Sequence, residues 1–243
     1  MILANCNESQ AIQTLAKAKV ALLPLGATEP HGEHLPLGTD TCLAERFSEQ
    51  IAEQLKDRCV VLPALPYSQV WSLKGFAGAI DIGNDLLSKL VTRLAKNMKQ
   101  YDIHAMAVIN THFGNFDALK AAARQLKQED IDLFVFSWPG TQSVINQVRE
   151  TQEARSGYMH ACEIETSLAL TLMPERVEMK LATKNYPQFP EHFSYLPIPW
   201  TDFSPTATLG DPTKASADKG ELIIQASLKT ITQVLRHYLE DAA

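Results

Sequence analysis

The feature that most constrains this chain is a repeated order: a short apolar run, a loop with proline or glycine, then an amphipathic helix. Residues 19–26 (KVALLPLG) form an apolar run closed by Pro24 and Gly26, which suits a buried strand better than a helix. Between Thr41 and Lys56, the residues Leu43, Phe47, Ile51 and Leu55 recur every fourth position with charges between them, and Asp40 or Thr41 is placed to cap the start, so this segment reads as an amphipathic helix. A second strand, Val60–Leu62, runs into Pro63 and a stretch (PALPYSQVWSLKGFAGA) too dense in proline, glycine and aromatic residues for regular structure. Asn84 or Asp85 then opens a helix with Leu86, Leu87, Leu90, Val91, Leu94 and Met98 on one side. Ile103–Asn110 reads as a strand, NTHFGN as its exit loop, Phe116–Lys127 as a helix and Leu133–Ser137 as another strand. Such alternation predicts an α/β fold with a mainly parallel sheet covered on both faces. At 243 residues a chain can still bury one core, so a single domain over 1–243 is expected.

Composition excludes several classes of function. Lys and Arg total 22 against 28 Asp and Glu, a formal charge of −6, and no basic tract is present, which argues against nucleic acid as a partner. No GxxxxGK[ST] or GxGxxG follows a strand, which weakens a nucleotide-binding reading. Cys6, Cys42, Cys59 and Cys162 lack CxxC spacing, and the first ten residues offer neither a basic nor a sustained apolar segment. A cytoplasmic protein with no membrane span is expected. Residues 184–212 contain six prolines and read as a long ordered loop or lid, and Thr213–Leu239 as a closing helix with Gly220 inside it.

Chemistry concentrates where strands end, the place where parallel sheets gather ligands. Glu29 and His31 are separated by one residue, so in an extended segment both point to one face and can share a metal; Asp40 follows at a helix start, where its two oxygens are free to bridge ions. His112 lies between a strand and a helix, and His160 and Glu163 share a face if their segment (HACEIE) is helical. Any one of these groups alone is a common surface arrangement; three together favour a metal centre of carboxylates and imidazoles, suited to zinc, manganese or iron. Lys74 and Arg155 are either anion-binding groups or solvated charge, and His104, His192 and His237 lack acidic neighbours in the pattern.

The run LPLGATEPHGEHLPLGTD resembles the signature loop of the creatininase family, the creatinine amidohydrolases and their relatives. INTHFGN, HACEIETS and GDPTKASADKGE resemble its later blocks in order, so the likeness extends over about residues 18–225. It implies a three-layer α/β/α sandwich and a binuclear metal centre that hydrolyses a C–N amide bond. Carried over by motif position, Glu29 and His112 would hold one divalent ion, His31 the other, and Asp40 would bridge them. Creatininase has a further glutamate ligand where this chain has Gly114, and Glu163 is expected to replace it. His160 would be the acid/base histidine, while Glu165 and Asn115 would stand behind the ligands. LPYSQVWSLKGFAGA lacks the family's pocket histidine, has Ser68 in place of a glycine, and Phe113 replaces another, departures that argue against creatinine itself.

The expected activity is therefore hydrolysis of a cyclic amide or formamide of a small metabolite by metal-activated water. Alternatives are a family deformylase, a peptidase acting on a cofactor precursor, or a non-catalytic metal- or ligand-binding relative. The resemblance also implies a homo-oligomer, as rings or hexamers.

Overall fold

The structure, a computed structural model, describes residues 1–241; Ala242 and Ala243, part of the expected single domain, lie outside the described residues. Four parallel strands form the sheet: β1 (Val20–Leu25), β2 (Cys59–Val61), β3 (Ala105–Asn110) and β4 (Asp132–Phe136), in the order β2-β1-β3-β4. β1 is central, pairing Val20 with both Cys59 and Ala105, and all six of its residues are buried. Continuous burial explains why the run carries no polar alternation. Pro24 is tolerated because pairing with β2 stops at Leu22, and its carbonyl accepts from Leu65 N–H just beyond.

Side chains of β1 alternate between two cores. Val20 and Leu22 join Leu43, Phe47 and Ile51 of α2 (Thr39–Leu55), Leu168 of α6 (Glu163–Leu172) and Ile224 of α7 (Ala217–Asp241). Ala21, Leu23 and Leu25 join Leu87 and Val91 of α3 (Gly83–Met98) and Leu119 of α4 (Phe116–Lys127) on the other face. The result is a three-layer α/β/α sandwich. Two shorter helices complete it, α1 (Glu8–Lys17) and α5 (Gln142–Val148).

Several local expectations change. α2 begins at Thr39 with Gly38 as its N-cap, so Asp40 lies inside the first turn, buried, rather than capping it. The start of α3 likewise uses no side-chain cap, and Leu86 is exposed while Leu87, Val91 and Met98 are buried. The closing helix begins at Ala217, after a short 3-10 turn over Pro212–Lys214. Residues 184–212 form an ordered loop: Asn185 pairs with Gly210, and Phe189, Phe193 and Phe203 pack ring against ring. No helix of the described residues is long and apolar enough to cross a membrane.

Because β2 and β3 flank β1 on opposite sides, the loops leaving β1 and β3 part at their carboxyl ends and open a crevice between them. Gly26 lets the chain return there: a Cβ would lie 2.2 Å from Thr41 N, so only glycine admits the start of α2 against the end of β1.

Candidate metal centre

Six titratable side chains meet in this crevice. Glu29 and His31 come from the loop after β1, Asp40 from the first turn of α2, His112 from the exit of β3, Glu165 from α6, and His160 from the segment before it. Potential ligand atoms of Glu29, Asp40 and His112 lie within 4.8 Å of one another, as do those of His31, Asp40 and Glu165, and those of Glu29, His31 and His160.

Asp40 is common to two of these groups and divides its oxygens between them. Its Oδ1 lies 3.3 Å from His31 Nε2 and its Oδ2 3.4 Å from His112 Nδ1. Glu29 Oε1 is 3.0 Å from His112 Nδ1, and Glu165 Oε1 is 3.8 Å from His31 Nε2. His160 Nδ1 stands 3.8 Å from both Glu29 Oε1 and Glu165 Oε2.

Each imidazole is oriented by a main-chain carbonyl. His31 Nδ1 meets the Glu29 carbonyl at 3.0 Å, His112 Nε2 the Gln69 carbonyl at 2.7 Å, and His160 Nε2 the Pro30 carbonyl at 2.8 Å. A carbonyl only accepts, so these nitrogens carry the hydrogen and the opposite nitrogen of every ring faces the carboxylates. Outer hydrogen bonds of this kind set the tautomer of metal-binding histidines.

Asn115 stiffens the same region, its Nδ2 donating to Asn110 Oδ1 at 2.9 Å and to the Gly26 carbonyl at 3.3 Å, tying the exit of β3 to that of β1. Ala161, in the left-handed region at φ 48°, turns the chain so that its N–H meets Glu165 Oε2 at 2.5 Å.

Electrostatics mark the centre as cation-seeking. Burial disfavours charged His31 and His112, yet Asp40 and Glu165 beside the first, and Glu29 and Asp40 beside the second, raise both well above the usual histidine range. Burial also opposes ionisation of Asp40 and Glu165, but the neighbouring imidazoles outweigh it and hold both carboxyls below their ordinary values. His34 behaves differently: burial, with His31 and His160 nearby, pushes it down to about 4, and its Nε2 pairs with Thr166 Oγ1 at 2.9 Å.

Glu163 does not join the centre, contrary to expectation. Its carboxylate accepts from Glu150 N–H at 3.0 Å, Thr151 N–H at 2.8 Å, Thr151 Oγ1 at 2.7 Å and Lys219 Nζ at 2.6 Å. α6 starts only at Glu163, so His160 shares no helical face with it and instead forms a β-bridge with Leu209. Two residues along a helix are about 200° apart, so only one of Glu163 and Glu165 can face the crevice. That one is Glu165. Nor could a carboxylate stand at 114, where a Cβ would lie 2.3 Å from His112 Nε2 and 2.8 Å from the Gln69 carbonyl.

A cavity of about 370 Å³ opens onto the cluster, and His160 and Trp200, edge-on to each other at 5.5 Å, both line it. The contributions of Gln69, Pro30 and Trp200 carry no pattern that the sequence reading could use, because two of them act through their backbone.

Comparison with known proteins identifies the class. The family model described as creatinine amidohydrolase matches residues 4–235, and the chain belongs to the creatininase family. Among individual relatives, the mycofactocin precursor peptide peptidase of Mycobacterium ulcerans is 32% identical over 211 residues, covering 83% of this chain and 78% of that protein. The creatinine amidohydrolase of Pseudomonas putida is 26% identical, covering 89% and 88%. Solved structures agree on the fold: a crystal structure of creatinine amidohydrolase superposes with a TM-score of 0.83 at 23% identity over 98% of this chain and 97% of that one. A manganese form of creatininase gives 0.81 at 23% identity over 98% of both.

Proposed function

We propose that this chain is a metal-dependent amidohydrolase that cleaves a C–N amide bond of a small molecule at a binuclear centre. One observation carries the reading. Glu29 Oε1 and Oε2, His31 Nε2 and Asp40 Oδ2 are buried with no hydrogen-bond partner of good geometry, and all three side chains belong to the cluster described above. Buried charge left without such partners is costly unless a cation occupies the cluster.

Glu29, Asp40 and His112 would hold one ion, and His31, Asp40 and Glu165 the other, with Asp40 shared. Oxygen and imidazole donors without thiolate suit zinc, manganese or iron. Bound there, divalent ions polarise a carbonyl and bring the pKa of water to about 7. The remaining work falls on side chains. His160 commits Nε2–H to the Pro30 carbonyl, which leaves Nδ1 as the atom that takes a proton from the attacking water and returns it to the leaving nitrogen. Trp200 packs against the ring and keeps it aimed. Glu163, locked by Lys219 and Thr151, has no part in the reaction.

A cyclic amide or formamide of a small metabolite is the first substrate type. The similarity to a precursor peptide peptidase supports a second, the end of a short modified peptide, with the same chemistry. The stacked, exposed pair Phe113 and Phe116 supports a homo-oligomer, and four free cysteines are in keeping with a reducing cytoplasm.

Elemental analysis of the purified chain, followed by an amide panel with and without manganese, zinc and iron, tests the reading. Two ions per chain and ion-dependent hydrolysis are expected. A metal-free preparation working at full rate would overturn it.

A further inference from the structure

Glu29 and His31 come from the loop after β1, while His160 and Glu165 come from the start of α6 and the segment before it. For the four to meet, one segment has to be fixed against the other. His34 stands at that junction. After His31 the chain reverses in a tight turn, with His31 and Leu35 bridged antiparallel and Gly32 at φ 68°, a conformation that suits glycine. The His34 ring folds back over this glycine, where a Cβ would lie 3.1 Å from its Nδ1 and 2.4 Å from Thr208 Oγ1. The ring is buried and its other nitrogen faces α6.

There Nε2 meets Thr166 Oγ1 at 2.9 Å, and Thr166, the residue after Glu165, is fully buried. The Thr166 hydroxyl also reaches the Ala161 carbonyl at 3.5 Å. A carbonyl only accepts, so the hydroxyl gives its hydrogen to Ala161 and takes one from His34 Nε2–H. Ala161 is the left-handed residue that follows His160, and its own N–H meets Glu165 Oε2. A single run of hydrogen bonds therefore ties the loop of Glu29 and His31 to the turn that presents His160 and Glu165.

His34 itself belongs to none of the three groups of potential ligands. Its Nδ1 is buried and finds no partner among the described residues, a cost that stability alone gives no reason to bear. Local costs of this kind collect at functional sites.

We propose, resting on the binuclear reading above, that His34 is a positioning residue: through Thr166 it holds the Ala161 turn and sets Glu165 beside His31 and Asp40, where the second ion is bound. The site of Glu29, Asp40 and His112 takes no side chain from α6 and does not depend on this tie.

The test is a calorimetric titration of the full chain with manganese and, separately, with zinc. Thr166→Val keeps the side-chain shape and removes the hydroxyl. It should weaken one of the two ion sites about 10–100-fold, the loss typical of an outer partner, and leave the other within about threefold of the parent. Thr166→Ser restores the hydroxyl and should bring the weakened site back to within about threefold. His34→Leu should weaken the same site, and combined with Thr166→Val should do no more than either change alone, because both cut one run of bonds. If His34→Leu fails to fold, the Val and Ser pair at 166 decides the matter. Parent constants in Thr166→Val, or both sites weakened alike, overturn the proposal. A parent that takes up fewer than two ions of either kind overturns the binuclear reading, and this proposal with it, so the parent titration tells the two failures apart.

Discussion

Glu163 and Glu165 stand on the same first turn of α6, yet beyond backbone N–H donors their surroundings differ. Around Glu163 the protein supplies two backbone N–H groups, a hydroxyl and an ammonium, so its charge is neutralised from within. Around Glu165 it supplies one backbone N–H and then further carboxylates, with the imidazoles of His31 and His160 about 3.8 Å away. Buried charge that is fully partnered reads as structure, whereas carboxylates gathered around one space, with Glu29 and Asp40 oxygens lacking hydrogen-bond partners of good geometry, read as a place for something the chain does not itself contain. Residue type and spacing cannot draw that distinction.

The largest expected effect falls on the unsatisfied side. Asp40→Ala and Glu165→Gln should each reduce ion-dependent hydrolysis at least about 10³-fold, more than the 10–100-fold typical of outer partners, with fewer ions per chain by elemental analysis. Glu163→Gln should leave the ion count of the folded protein near the parent value; the opposite pattern would exchange the roles of the two glutamates. On the satisfied side the cost is stability. Glu163→Ala leaves the Glu150 and Thr151 N–H groups without their acceptor and takes one of two carboxylates from the Lys219 ammonium, which keeps Glu150, and should lower the unfolding free energy by about 3 kcal/mol in urea titrations. Adding manganese or zinc at about 100 times its dissociation constant should stabilise the parent by about 2.7 kcal/mol, seen as a rise in Tm that a chelator reverses; an equal rise in Asp40→Ala would place the ions elsewhere. Smaller still, Asn115→Ala should weaken metal affinity about 10–100-fold by loosening the loop that carries His112.

Acid gives the mildest test. Burial opposes ionisation of Glu163, but Lys219, Thr151 and the N–H groups outweigh it, so its folded pKa lies below the unfolded value. The unfolded chain then binds more protons, and the stabilisation is in place above about pH 4.3 and fades as the pH falls through the folded value. Glu163→Gln should therefore flatten the acid limb of the stability curve.

Much of the fold is legible in the chain because apolar strands and helix faces leave a periodic signal. β1, α4 and β4 fall within a residue or so of where the pattern puts them. α1 escapes notice because it buries only Leu15, although Asn7 and Gln10 form a capping box at its start. The gathering of Glu29, His31, Asp40 and His112 is legible for a topological reason: the loops that hold them leave neighbouring parallel strands. Choosing between Glu163 and Glu165 is not, because the choice depends on helical phase, and the phase depends on α6 starting at Glu163 rather than nearer His160.

The three carbonyls that orient His31, His112 and His160 belong to Glu29, Gln69 and Pro30, and a carbonyl survives every substitution of the side chain beside it. At Gln69 the identity of the residue is thus free to drift as long as the path of the chain is kept. Relatives could differ there without disturbing the His112 ring, whereas a single inserted residue would swing the carbonyl away. For this contact, the vulnerability lies in chain length rather than in spelling.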